Sequence, residues 1–243
     1  MRYLGLHHSA VFPRLPERSW FNRKAKKLVY VQRNIHQLLL QKLRVDKIEI
    51  RIVDTTPVPV VKIYRAGRCT TFEKNTEVNF GYCASKDMYY YGQKLTLLVT
   101  PQGIPTAYIL TPANFHDLKA LKTNLSKVTP DLKKKKLIAD KGYYDGELEV
   151  TLKKQHHTTL IVPEKRRHQK RNTLGEKKLL KKRNIVETVN QQLQDQMNID
   201  ETRAKSNLGL QSRIQSSILS FTFGIYFNVL FNRPLLAIKS ILT

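Results

Sequence analysis

Two segments far apart in the chain share one pattern, an aliphatic run that meets an aspartate. KIEIRIVD at 47–54 alternates strictly, with Ile48, Ile50 and Ile52 on one face, and stops at Asp54. KLIAD at 136–140 is a short apolar run that stops at Asp140. Strict alternation reads as a half-buried strand, and a short apolar run between turn signals as a buried one. Two strands that each deliver a carboxylate at their end limit the folds that can use both acids together.

The rest of the chain supplies the other elements. Pro13 and Pro16 break any early helix. From about Asn22 to Leu43, the residues Leu28, Val31, Ile35, Leu38, Leu39 and Leu43 recur every three or four positions, which predicts one amphipathic helix with a basic outer face. KLTLLVT and PTAYILTP flank PQG at 101–103, a hairpin in which Gly103 supplies the positive φ. Asp117 is expected to cap a helix over LKALKTNLSKV, closed by Pro130 and the lysines, and Asp145 a helix over GELEVTLKKQ. TTLIVP is a further strand. Thr173 with Glu176 forms a capping-box pattern that opens a long helix to about Met197, and a strongly apolar helix starts near Leu208. Residues 55–91 give no clear local signal. The order of strand, hairpin pair, helix, strand, helix, strand and long helix matches an α/β, ribonuclease H-like mixed sheet flanked by helices. Residues 1–46 are expected to form an N-terminal helical segment, and 47–243 the ribonuclease H-like domain with C-terminal helices.

Composition narrows the partner. Forty-three Lys and Arg against nineteen Asp and Glu leave a formal charge of +24, which calls for a polyanion. The most apolar stretch, ILSFTFGIYFNVLF at 218–231, is too short and too polar to span a bilayer and reads as a core helix. No apolar leader opens the chain, so a cytoplasmic location is the expectation. Cys69 and Cys83 are too few for a disulfide framework and too far apart for a zinc knuckle.

In a ribonuclease H-like sheet the first strand lies centrally with the fourth beside it, so Asp54 and Asp140 can converge. Two close carboxylates repel unless a dication neutralises them, and all-oxygen ligation favours Mg²⁺ or Mn²⁺. KKRNIVETVNQQLQDQM offers a third acid: Val186, Val189, Leu193 and Met197 make a buried stripe, with Arg183, Glu187, Asn190, Gln191 and Gln194 as a polar strip beside it. An aspartate after a strand also serves as a turn former or cap, and spacing alone leaves both readings open.

VDTTPV, FGYCASKDMYYYGQKLTLLVTPQGIP, LTPANFHD, LIADKGY, RNIVETVNQQL and RAKSNLGLQSRI stand in an order and at gaps that resemble the DDE insertion-sequence transposases, most closely the insertion sequence 982 family. The resemblance runs from about Phe12 to the last helix. It implies a DNA transposase whose acids are Asp54, Asp140 and Glu187, with Arg183 one turn before Glu187. It also implies two Mg²⁺ or Mn²⁺ ions that activate a water and then a 3′-hydroxyl for in-line displacement at phosphorus. The implied partners are double-stranded DNA, namely the terminal inverted repeats and the target, and a second copy of the chain. Thr96 stands where many relatives have His, and Gln194 where some related families have a phosphate-contacting Lys. Full-length members carry a further helical segment before FPRLPERSWFNR, so a shortened copy, impaired in recognising element ends, is one expectation. A nuclease on the same fold is another.

Between Lys165 and Arg183, ten of nineteen residues are Lys or Arg. Lys165, Arg166, Arg167, Lys170, Arg171, Lys182 and Arg183 are the candidate phosphate contacts, together with Lys141 beside Asp140. Tyr82, Tyr89, Tyr90 and Tyr91, interleaved with Lys86 and Lys94, offer rings for base stacking, although packing is the expectation for most of them.

Overall fold

The computed structural model describes residues 6–11, 13–74, 76–164 and 171–239. Two helices, α1 (Arg18–Lys27) and α2 (Val29–Lys42), precede β1 (Ile50–Val61). Next come β2 (Asn79–Cys83), β3 (Met88–Val99) and β4 (Pro105–Pro112), then α3 (Asp117–Thr123) and α4 (Leu125–Leu132). The chain continues through β5 (Lys136–Ile138), α5 (Gly146–His156), β6 (Thr159–Ile161), α6 (Leu174–Leu180), α7 (Asn184–Asp195) and α8 (Asn207–Leu230). The strands form one mixed sheet in the order β2-β3-β1-β5-β6, with β4 also paired to β3. β1 runs antiparallel to β3 and parallel to β5, and β5 runs parallel to β6. The predicted ribonuclease H-like mixed sheet flanked by helices is the observed architecture.

Neighbouring residues on the central strands point into two separate cores. Ile52, Leu97 and Ile138 face α7 and α8, where they meet Val186, Val189, Leu193, Ile214 and Phe221. Val53, Leu98 and Leu137 face α3, α4 and α5, where they meet Leu121, Val128, Leu148 and Leu152. Each of these fully buried aliphatic side chains contributes roughly 1.5–3 kcal/mol. The sheet is thus a middle layer covered on both sides. The hairpin between β3 and β4 turns through Gly103 at φ 84, as its sequence requires.

Several expectations are corrected. β1 does not stop at Asp54 but continues to Val61, because after Ile52 it pairs with β3 alone. One-sided pairing tolerates Pro57 and Pro59, which each lack an N–H. Beside them, Gly92 lies so close to β1 that a Cβ would collide with the Val58 carbonyl. The helix expected over 22–43 is two helices joined at Leu28, and its stripe is rotated. Val29, His36, Leu39 and Leu40 are buried, whereas Leu28, Val31, Ile35 and Leu38 are exposed. Polar partners set that rotation, since Gln32 Nε2 donates to Ser216 Oγ on α8 at 3.0 Å and the His36 ring bonds the Pro105 carbonyl at 3.1 Å.

Asp117 is the first residue of α3 and not its cap, and Pro130 lies inside α4 where the expected single helix has divided at Asn124. The helix expected from Thr173 to Met197 is also divided, by a 3-10 turn at Lys181–Arg183, although the Thr173–Glu176 capping box and the Asp145 cap both form. Five basic residues, Lys177, Lys178, Lys181, Lys182 and Arg183, crowd that junction.

Burial holds the His36 ring neutral, with its pKa lowered from 6.5 to about 4. The folded state therefore takes up its proton later than the unfolded chain as pH falls. The stability this group contributes is full above pH 6.5 and is lost as pH falls to about 4, by about 3 kcal/mol in all. Urea unfolding of His36→Gln across that range is expected to lack this component.

Candidate active site and nucleic-acid interface

Strand register brings the first two acids together. Ile52 pairs with Ile138 across the parallel β1–β5 ladder, and two residues further on Asp54 and Asp140 follow on the same face. α7 lies over that face because Val186, Val189 and Leu193 are drawn into the core. Its polar strip then falls along β1: Asn190 Nδ2 donates to Asp54 Oδ2 at 3.3 Å, and Gln194 Nε2 donates to Thr56 Oγ1 at 2.6 Å. Glu187 stands one turn before Asn190.

Arg183 closes the arrangement. Its Nη1 lies 3.6 Å from Asp140 Oδ1 and its Nη2 lies 3.3 Å from Glu187 Oε1. The side chains of Asp140 and Glu187 are 53% and 54% exposed, so the cluster opens to solvent on that side. Asp54 is the deep member. Burial pushes its carboxyl up from 3.8 to about 6; the Thr55 N–H and the Arg183 charge oppose this, and Asp117 and Glu187 add to it.

Among the described residues no group of three or more His, Cys, Asp or Glu side chains forms a metal-holding cluster. A guanidinium stands between two of the acids instead. The donor set nevertheless suits a hard dication, since it offers three carboxylates, of which Asp54 is half-buried. The Arg183 contacts are longer than the roughly 2.7–2.9 Å of tight charge-assisted bonds.

Lys141 is exposed in a 3-10 turn, and its N–H donates to Asp140 Oδ1 at 2.7 Å. Arg171 and Lys182 are exposed. Lys165, Arg166, Arg167 and Lys170 lie outside the described residues. Of the four tyrosines, Tyr90 and Tyr91 are buried, while Tyr82 and Tyr89 are exposed with ring centroids 4.9 Å apart.

Three features escaped the sequence. Asp117, read as a cap, makes an ion pair with Lys94 Nζ at 2.9 Å, and its charge acts on Asp54 and Tyr143. Tyr143 is buried and shares a 2.7 Å hydrogen bond with Thr55. Lys86 Nζ donates to Gln194 Oε1 at 2.6 Å, so an ammonium from a distant segment stands beside the glutamine. Thr96 is fully buried opposite Thr55. Only the polar strip of α7 gave a signal, through its helical spacing.

A mixed sheet flanked by helices, with one acid inside β1, a second just past the parallel neighbour β5 and a third on a helix laid over them, has the architecture of the ribonuclease H-like class. The family described as the transposase DDE domain matches residues 44–207, more than half of the chain. The chain belongs to that family. No curated protein and no solved structure matches it.

Proposed function

We propose that this protein is a DNA transposase of the insertion sequence 982 type, which cuts the ends of its element and joins them to target DNA. One observation supports the reading: Arg183 contacts both Asp140 and Glu187, while Asn190, on the same helix as Glu187, donates to Asp54. The three acids are the proposed ligands of two Mg²⁺ or Mn²⁺ ions. When bound, these ions supply Lewis-acid stabilisation of the attacking and leaving oxygens at phosphorus. Asn190 fixes the orientation of the Asp54 carboxylate. Arg183 neutralises Asp140 and Glu187 in the resting protein and is free to turn to a DNA phosphate. Lys141, Arg171 and Lys182, with Lys165, Arg166, Arg167 and Lys170, hold the backbone of double-stranded DNA through charge. A homodimer bringing two ends together completes the proposal, and the cytoplasm is its location.

The test combines an element-end duplex, a target plasmid and Mg²⁺. Joined product that disappears with EDTA is the expected result. Cleavage without joining would identify a nuclease instead, and binding without cleavage an impaired DNA-binding remnant.

A further inference from the structure

A groove of about 940 Å³ runs between α1, the N-terminal half of α8 and the segment 197–205. Its walls carry Arg18, Arg23 and Lys26 from α1, Arg203 and Lys205 from the segment, and Arg213 from α8, against the carboxylates Glu17 and Glu201. Both carboxylates have partners: Glu17 accepts from Ser19 Oγ at 2.6 Å, and Glu201 pairs with Arg203 at 3.7 Å. Among the described residues, Arg18 and Arg213 have no ion pair.

The cations crowd one another. Arg213 is held below the usual range for a guanidinium, first by burial and then by the charges of Arg18 and Arg203. Thr202, only 5% exposed, lines the same groove, and its Oγ1 has no hydrogen-bond partner. The first turn of α1 also borders it. The N-cap of that helix, Glu17, makes no side-chain cap bond, so the positive helix end adds to the field. Packing gives no reason to gather three exposed guanidiniums along one groove, since each repels the others. A bound anion supplies one, and planar forked donors match phosphate oxygens.

The position of the groove indicates which phosphates. Met197 and Asn198, just past the end of α7, form part of its wall. Ten residues separate Glu187 from Met197, roughly 15 Å at 1.5 Å per helical residue. That distance covers about four or five nucleotides of one strand at 3.4 Å each. We propose that the groove between α1 and α8 is a second DNA site, in which Arg18, Arg203 and Arg213 clamp backbone phosphates at least four or five nucleotides from the reacting bond.

The inference rests on the DNA-binding reading, and its test separates the two. Binding of a duplex that spans both sites is measured by anisotropy against salt, for the full chain and for an Arg203→Gln/Arg213→Gln double variant. Each phosphate that the variant no longer neutralises should lower the log–log salt slope by about 0.9. Affinity at moderate salt should drop about tenfold, and the thermal midpoint should hold or rise as the crowding is relieved. A duplex cut back to the nucleotides around the reacting bond should bind both proteins equally.

An unchanged slope on the long duplex, with wild-type binding intact, would overturn the groove and leave the DNA reading standing. A lowered slope accompanied by a lowered midpoint would point to a structural role and also overturn it. Should the wild type bind no duplex yet bind inorganic tripolyphosphate in a way the double variant does not, the DNA reading falls. The groove would then be a site for free polyphosphate.

Discussion

Replacing Asp54 by asparagine is expected to reduce DNA cleavage by more than about 10³-fold, the upper end of what one preorganised electrostatic contact contributes, and to stabilise the metal-free protein. The two effects share one cause. Asp54 is half-buried, and desolvation raises its pKa from 3.8 to about 6, so folding disfavours its charged form. The stability this residue contributes is therefore full below pH 3.8 and is lost as pH rises through 6. At pH 8 the ionised group costs up to about 3 kcal/mol. Asparagine removes that cost while keeping the shape and an acceptor for Asn190. In EDTA at pH 8, the Asp54→Asn midpoint should exceed that of the wild type. Near pH 4 the two should nearly coincide.

Adding Mg²⁺ should stabilise the wild type by mass action and leave Asp54→Asn almost unmoved. DNA affinity should change little, because phosphate contacts dominate it. A variant as active as the wild type would remove Asp54 from the proposed ligand set. One that loses activity without gaining stability would mean that the cost of burying this charge is offset elsewhere.

The second large effect is expected on the opposite face of the sheet. Arg51 is 1% exposed. Its guanidinium meets Asp131 on α4 at 2.8 Å and donates to the carbonyls of Ile48, Ile50 and Val45. Thr106 Oγ1 donates to the other oxygen of Asp131. Asp131→Ala strips a buried cation of its only counter-charge among the described residues. It should destabilise the protein by about 3–5 kcal/mol in urea unfolding. Replacing both partners with apolar residues of similar volume, as in Arg51→Met/Asp131→Leu, should restore most of that stability, since the desolvation cost then disappears with the charges. If the double variant is no better than the single one, the hydrogen bonds to the β1 entry carry the stability and the ion pair does not.

Local signals in the sequence located most elements. The alternation of KIEIRIVD, the PQG turn at Gly103, the Asp145 cap and the Thr173–Glu176 capping box each depend on residues within a few positions of one another. The same local signals misled where a distant partner decided the outcome. Asp54 read as the end of β1, yet the strand continues because it stays paired with β3 after β5 stops opposite Ile52. Leu28, Val31, Ile35 and Leu38 read as a buried stripe, yet Ser216 and Pro105 fix α2 so that Gln32 and His36 face inward.

The sequence by itself determined that the protein is a basic α/β chain with acids on or just past two strands and on one helix, because side-chain period, caps and turn geometry are short-range properties. Only the tertiary structure decided that Arg183 stands between Asp140 and Glu187, that Asn190 holds Asp54, and that Arg18, Arg203 and Arg213 share one groove. Apart from Arg183, Glu187 and Asn190, which are neighbours on one helical stretch, those groups come from distant parts of the chain. No local pattern can encode their distances, which are set by how α7 and α8 pack on the sheet.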